Sequence, residues 1–411
     1  MNAVSYFRDI LPRVVAYRLA RAGLIPPPRP MTLTFSVTNR CQSRCLTCQI
    51  WRLYRDQPQR AAEELSLDEI AAIFRSLGYT FFFNISGGEP YLRDDLPEIV
   101  GLALRYLQPR VVHIPTNGLA PERIEAATRR ILEQIANLPR PIPLTVKPSL
   151  DGIGEEQDRI RGVPGNFART LETLDRLKHL RATYPNLHVE VGTVVSTANM
   201  DRLDEIAAFV HGLGVESYRN EIAEQRAEFF NRGDPITPSA EQYRTLMASF
   251  AARIRAETGS KRSLAQLTES LRLVYYDVAI RILAEGRQVL PCYAGLSNVH
   301  INPYGQVWAC CVLGYERPMG ELRKAGLDFG RVWHSAQASE VRRFIRAGGC
   351  ACPLANQAYS NILCDPSSTL RAVSQVLRFR LRRRGVHAAR ATEPEDRPGT
   401  QTHQGGRDHG V

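Results

Sequence analysis

Three cysteines stand at positions 41, 45 and 48 in "NRCQSRCLTCQIW", directly after the apolar run "MTLTFSVT". Three chemistries use thiols this close together. A structural zinc takes four protein ligands, and no histidine or fourth cysteine lies within twenty residues on either side. A redox pair is a simple Cys-x-x-Cys, for which three thiols are one too many. An iron–sulfur cluster held by three thiolates leaves one iron open, and an open iron is a reaction site. The spacing, the strand before it and a glycine motif farther on favour the cluster.

The other six cysteines, at 292, 310, 311, 350, 352 and 364, fall in the last third of the chain. Gly305 stands five residues before Cys310, and "PCYAGLSNVHINPYGQVWACC" alternates like a hairpin turning at Pro303-Tyr304-Gly305. That hairpin brings Cys292 and Cys310 together. Four of Cys292, Cys310, Cys350, Cys352 and Cys364 would complete a second centre, with a structural zinc as the alternative. Cys311 reads as a buried neighbour, because adjacent side chains on a strand point opposite ways.

The elements that must position these thiols are legible as a repeat. Apolar, β-branched runs at 31–38, 80–86, 110–115, 142–150, 187–196 and 215–222 alternate with helical segments near 66–77, 94–106, 121–136, 163–183 and 201–213. Strand and helix in alternation mark a parallel α/β sheet or barrel, with its chemistry on the loops after the strands. Those loops carry the unusual residues: the three cysteines, then "SGGEP" (86–90), "TNG" (116–118), "SLDG" (149–152) and "TVVSTAN" (193–199). The expected fold is a parallel partial (β/α)6 TIM-like barrel with a small C-terminal cysteine-rich β-hairpin/α module. Its segments are a basic extension at 1–30, the barrel at 31–225, a helical connector at 226–285, the cysteine-rich module at 286–366, and a basic helix and disordered tail at 367–411.

Bulk properties narrow the class. At 411 residues and 44% hydrophobic content, the chain is long enough for one large domain and a smaller one. No stretch approaches the ~20 apolar residues of a membrane span, and no signal-peptide pattern opens the chain. Nine clustered cysteines argue against a secreted disulfide framework and for a cytoplasmic metal protein. Of the net charge of +11, residues 1–30 hold +4 and residues 371–411 hold +5. The near-neutral body between them excludes a nucleic-acid enzyme, whose folded face would be basic.

Cys-x3-Cys-x2-Cys after a first strand, followed by GGEP after the second, resembles the radical S-adenosylmethionine (radical SAM) superfamily over roughly residues 31–225. The resemblance implies an active-site [4Fe–4S] cluster on Cys41, Cys45 and Cys48 whose open iron chelates S-adenosylmethionine (SAM). Reductive cleavage of SAM then gives a 5′-deoxyadenosyl radical that abstracts hydrogen from a substrate. It implies that Gly87 and Gly88 keep the backbone beside the methionine moiety free of side chains, with Pro90 closing the motif. Glu89 would accept from the SAM ammonium group, Ser149 and Arg161 would grip its carboxylate, and Asn117 and Thr193 would face the ribose or the substrate. One position departs: Thr47 stands where the family usually has an aromatic, and Trp51 is the candidate to cover the cluster instead. The Cys-x9–15-Gly-x4-Cys pattern at 292–310 resembles the start of SPASM and twitch domains, which implies one auxiliary [4Fe–4S] cluster here. An electron donor of the flavodoxin or ferredoxin type is the implied partner.

For the substrate, a lipid, a lipid-linked sugar or a small metabolite is expected, with peptide maturation as the alternative; a non-catalytic iron–sulfur or zinc protein is the reading from another class. Asn220 and Glu221, beyond the sixth run, are the candidate catalytic residues. In a helix over "LRAVSQVLRFRLRRR", Leu370, Val373, Leu377 and Leu381 share one stripe while Arg371, Arg378 and Arg382 fall opposite. A basic amphipathic helix of this kind predicts peripheral contact with a membrane surface, the bland alternative being a stripe packed on the barrel.

Overall fold

The chain was analysed as a computed structural model that describes residues 3–258 and 263–391, with side chains at 8–258 and 266–379. The six apolar runs form β1 (Thr32–Thr38), β2 (Phe82–Gly87), β3 (Val111–Thr116), β4 (Leu144–Pro148), β5 (Leu187–Val195) and β6 (Ser217–Ile222), each parallel to the next. Period-two alternation sends Leu33, Phe35, Val37, Phe83, Ile85, Val112, Ile114, Val146, Val189 and Val191 outward into one buried core. The intervening positions line the lumen.

Helices cover the outer face. After α1 (Ala3–Ala22) and the short α2 (Arg52–Asp56), α3 (Leu67–Leu77) begins at a Ser66/Glu69 capping box and buries Ile70, Ile73, Phe74 and Leu77 on one stripe. There follow α4 (Leu96–Tyr106) and α5 (Pro121–Ala136). The helix expected near 163–183 is α7 (Asn166–Thr183), and before it stands a short helix the sequence did not mark, α6 (Glu155–Arg161), with Gly162 and Gly165 at left-handed φ of 67° and 76° between the two. The barrel proper closes with α8 (Leu203–Gly212), and α9 (Ala240–Glu257) and α10 (Ser263–Glu285) build a second core around Tyr243, Met247, Phe250, Val274 and Tyr275.

The hairpin is β7 (Asn298–Ile301) against β8 (Gln306–Trp308), antiparallel, with β9 (Pro318–Glu321) beyond. Its docking was not legible in the sequence. β7 pairs in parallel with β1, so barrel and module share one nine-stranded sheet in the order β6-β5-β4-β3-β2-β1-β7-β8-β9. The short α11 (Phe329–Trp333), α12 (Ala336–Arg346), α13 (Ala355–Cys364) and α14 (Pro366–Ala391) complete the described chain. α13 lies between β7 and α10. Its Ser360 donates to Asn298 on β7 at 2.7 Å, and its Tyr359 ring lies 5.5 Å from Tyr275 of α10.

At the ends the apolar stripe is not the face that packs on the body of the protein. α14 packs through Ala372, Val376 and Phe379, leaving Leu370 69%, Val373 37% and Leu377 53% exposed. The side chains of Leu381 and Arg382, and the tail after 391, lie outside the described residues. α1 likewise buries Ile10, Val14 and Tyr17 and exposes Leu11, Val15 and Leu19. Among the described residues, no helix is long and apolar enough to cross a membrane.

Candidate active site

The three leading cysteines lie on an irregular loop that three other segments fix. The Arg44 and Leu46 amides donate to the Arg161 and Ile160 carbonyls of α6, each at 2.9 Å. The Thr47 carbonyl accepts Asn231 Nδ2 at 2.8 Å, and the Gln49 amide donates to the Phe229 carbonyl at 2.8 Å. The Gly88 and Glu89 amides donate to the Thr38 and Arg40 carbonyls at 2.8 and 2.7 Å. This contact gives the glycines a structural reason beside the expected one. A Cβ on Gly87 would stand 2.2 Å from the Thr38 carbonyl oxygen, and one on Gly88 2.2 Å from that of Arg40. Both are glycine because the cysteine loop sits directly on them. Gly162 repeats the device, with its Cβ position 2.4 Å from the Arg44 carbonyl.

The thiols face one another in a protein-enclosed space. Burial pushes Cys41 up to about 12, with Cys45 and then Glu89 adding to it, and burial followed by Cys45 drives Cys48 well above the ordinary thiol value. Arg161 Nη1 donates to Cys45 Sγ at 3.5 Å, while its Nε stands 2.9 Å from Asp151. Arg161 is 8% exposed and its Nη2 is buried without a protein partner, a donor left for an anionic ligand. Asn117 Nδ2 lies 3.9 Å from Cys41 Sγ. Arg44, Arg52 and Arg55 set their guanidinium carbons 4.9–5.9 Å from the centre of the Trp51 ring.

The remaining expected SAM residues divide. Glu89 is 1% exposed and already accepts from the Thr116 hydroxyl, the Asn117 amide and the Tyr91 amide at 2.8, 2.7 and 3.2 Å, so it clamps the "TNG" loop; burial lifts it to about 7. Pro90 opens a single 3₁₀ turn. The Ser149 amide donates to the Thr116 carbonyl, aligning the third and fourth strand ends. Thr193 commits its hydroxyl to the Leu150 carbonyl and accepts from Tyr218 at 2.9 Å, which ties β4 to β5. Asp151, two residues after Ser149, is the position sequence reasoning missed: 1% exposed, it holds both Arg161 and the Val194 amide.

Of the five candidate cysteines in the module, Cys292, Cys310, Cys350 and Cys352 come together. Burial pushes Cys310 up to about 12, with Cys292 and Cys350 adding to it; Cys350 rises to about 11, again by burial and then Cys292; and Cys352 feels both Cys310 and Cys292. Cys364 stands apart, packed with Tyr17 and Tyr293 at the foot of α1. Neither thiol set supplies three sulfurs within 4.8 Å of one another among the described residues. A tetrahedral zinc would hold them about 3.8 Å apart, so the wider spacing fits a multi-iron cluster. Thiols gathered this closely away from bulk water need metal cations to ionise together, and both sets therefore fit the iron–sulfur groups.

Beneath the strand ends the lumen is polar. Lys147 on β4 pairs with Glu221 on β6 at 3.3 Å, and Arg219 stands 3.8 Å from Glu190. His113 sits among them, lowered to about 4 by burial and then by Lys147. Of the two candidate catalytic residues, Glu221 is thus in an ion pair, and Asn220 accepts from the Tyr276 hydroxyl. Past β6, "AEQRAE" (223–228) supplies Glu224, Arg226 and Glu228, a charged run the sequence analysis did not single out; Arg226 pairs with Glu224 at 2.8 Å.

A parallel partial barrel with three converging thiols after its first strand and four more in a module on its edge defines an iron–sulfur enzyme. Residues 35–224 match the radical SAM superfamily, and residues 292–353 match the SPASM iron–sulfur cluster-binding domain. The chain belongs to the radical SAM superfamily and carries a SPASM-type C-terminal domain; it is a SAM-dependent [4Fe–4S] enzyme. It is 29% identical to the mycofactocin maturase MftC of Mycolicibacterium smegmatis over 78% of this chain and 75% of that protein. It is 23% identical to the antilisterial bacteriocin subtilosin biosynthesis protein AlbA of Bacillus subtilis over 75% of this chain and 61% of that one. In fold it is similar to SuiB of Streptococcus suis, with a TM-score of 0.54, 14% identity, and 90% and 81% of the two chains covered.

Proposed function

We propose that this enzyme abstracts hydrogen from a polar substrate, a peptide, at a SAM site framed by Cys41, Cys45 and Cys48. The lumen carries this reading. A substrate entering from the strand ends meets Lys147, Glu221, Arg219 and Glu190, a wall that solvates charged and amide groups and disfavours an acyl chain. That argues against the interior of a lipid as the reacting part. Among polar substrates, a peptide is favoured by the similar proteins: one is named a mycofactocin maturase, one a bacteriocin biosynthesis protein, and SuiB has been solved bound to a precursor peptide.

Cys41, Cys45 and Cys48 would hold the active-site [4Fe–4S] cluster, and Cys292, Cys310, Cys350 and Cys352 the auxiliary one. With SAM bound, the first cluster supplies the reductive cleavage that yields a 5′-deoxyadenosyl radical. The chain's own part is to bind and orient. Arg161, held by Asp151, turns its free Nη2 to the SAM carboxylate. Glu89 fixes the "TNG" loop so that Asn117 borders Cys41, and it keeps lone pairs for the SAM ammonium group. Ser149 and Thr193 hold the β3, β4 and β5 ends in register beside them. Reducing equivalents come from a flavodoxin- or ferredoxin-type donor.

The exposed stripes of α1 and α14 support work at an anionic membrane surface. Leu11, Val15 and Leu19 are flanked by Arg8 and Arg18, and Leu370, Val373 and Leu377 by Arg371 and Arg378, an apolar face bordered by cations.

The test of substrate class is 5′-deoxyadenosine release by the reconstituted, reduced enzyme with SAM, supplied separately with the peptide, small-molecule and lipid fractions of its source cells. Stimulation by the peptide fraction that protease treatment removes is the expected result. Stimulation confined to the lipid or small-molecule fraction would overturn the peptide reading.

A further inference from the structure

A cavity of about 60 Å³ lies where the module meets the barrel, with Cys310 of the auxiliary thiol set on one wall. It is lined by Thr34 and Ser86 from the lumen faces of β1 and β2, by Arg226 and Glu228 past β6, by His300 on β7, and by Cys311. One carboxylate oxygen of Glu228, a ring nitrogen of His300 and the Cys311 sulfur all lie within 4.8 Å of one another. They come from two segments far apart in sequence, Glu228 past β6 and His300 and Cys311 on the β7–β8 hairpin and just after it, and among the described residues no other trio of metal-ligating side chains draws this close.

Hydrogen bonds hold the trio only in part. Glu228 is 4% exposed, and its contacts to Ser36 Oγ at 3.4 Å and His300 Nε2 at 3.5 Å are long. Buried charges are ordinarily paired or bound to a metal. Arg226, two residues away, commits Nε and Nη2 to Glu224 at 3.0 and 2.8 Å. The His300 ring is braced by Trp308, 4.9 Å away, with Nε2 aimed at Ser36 Oγ at 2.7 Å and at the carboxylate. Cys311 lines the cavity beside Cys310 and lies outside the four thiols that come together in the module.

We propose that Glu228, His300 and Cys311 form a mononuclear binding site for a divalent ion of the zinc or ferrous type, distinct from both iron–sulfur centres. The donors are one carboxylate, one imidazole and one thiolate, the mixture that such ions accept and that magnesium or calcium does not. A carboxylate and a thiolate balance the double charge. Three protein ligands leave a fourth position open, the pattern of catalytic rather than structural sites. That position faces the cavity, which has room for an ion and a few waters. An oxygen or nitrogen of the substrate would complete the shell.

Zinc is a fair probe for either ion because it binds such sites more tightly than ferrous iron. The cluster-reconstituted full chain is equilibrated anaerobically with zinc, freed of unbound metal, and assayed for zinc, iron and sulfide per chain. X-ray absorption is then recorded at the zinc edge. The expected result is one zinc per chain with a mixed shell, one sulfur at about 2.3 Å and nitrogen or oxygen at about 2.0–2.2 Å. His300→Gln and Glu228→Gln should each weaken zinc retention at least tenfold while leaving iron and sulfide unchanged, which also reports that the variants fold. Equal zinc in wild type and both variants, an all-sulfur shell, or no retained zinc would each overturn the proposal. None of these readouts depends on the substrate or on radical chemistry.

Discussion

At the scale of single residues, the account rests on how closely the cysteine loop sits on its neighbours. A methyl group on Gly88 would meet the Arg40 carbonyl at 2.2 Å, backbone against backbone, so the loop that carries Cys41 must move. Gly88→Ala is expected to cost about 1–3 kcal/mol and to lower iron retention; a melting curve and an iron assay check both. Glu89 gives a pH signature. Its folded value of about 7 lies above the ordinary 4.5, so the folded state holds a proton that the unfolded state has released. The stability this contributes is complete below pH 4.5 and is lost as pH rises through 7, by at most about 3 kcal/mol. Denaturation midpoints should fall between pH 6 and pH 8 in the wild type and stay flatter in Glu89→Gln. The order of the motifs made Gly87, Gly88 and Glu89 legible in the sequence, but their physical duties were not. Whether a glycine spares a ligand or a neighbouring carbonyl is decided by a contact across 48 residues, which no local pattern records.

At the scale of elements, the alternation of runs and helices marked all six barrel strands to within about two residues, because each strand buries one face and each helix one stripe. What escaped was assembly between distant segments. The β7–β1 pairing joins residues 298–301 to 32–35, and the Glu228–His300–Cys311 trio draws on two segments far apart in sequence. The terminal helix was legible as amphipathic, yet nothing in the sequence marked Ala372, Val376 and Phe379 as the side that packs. Small Ala372 lets α14 approach the second core, and Phe379 and Val376 fill it, which leaves the leucines outside. A prediction follows for that face. Replacing Leu370, Val373 and Leu377 together with serine should leave the melting temperature within about 2 °C, since surface changes of this kind cost little. Sedimentation with anionic vesicles should fall at least tenfold. Unchanged sedimentation would remove α14 from the membrane contact.

At the scale of the whole molecule, one sheet carries both iron–sulfur modules, so the geometry between them is set by strand pairing rather than by a linker. α13 ties β7 of the module to α10 of the second core. Chain order announced this division: three cysteines before the barrel loops and six after the helical connector, with the net charge gathered at the two ends. Cys364 is the exception within the module, since its neighbours are on α1 and not on the hairpin. The central claim is SAM cleavage at Cys41, Cys45 and Cys48, and its most direct measurement is 5′-deoxyadenosine formed by the anaerobically reconstituted, dithionite-reduced enzyme with SAM alone. The wild type is predicted to form it slowly but above an enzyme-free control, and Cys45→Ala to form none while keeping the iron of the auxiliary set. Wild type that forms no more than the control, or a Cys45→Ala variant as active as wild type, would contradict the account.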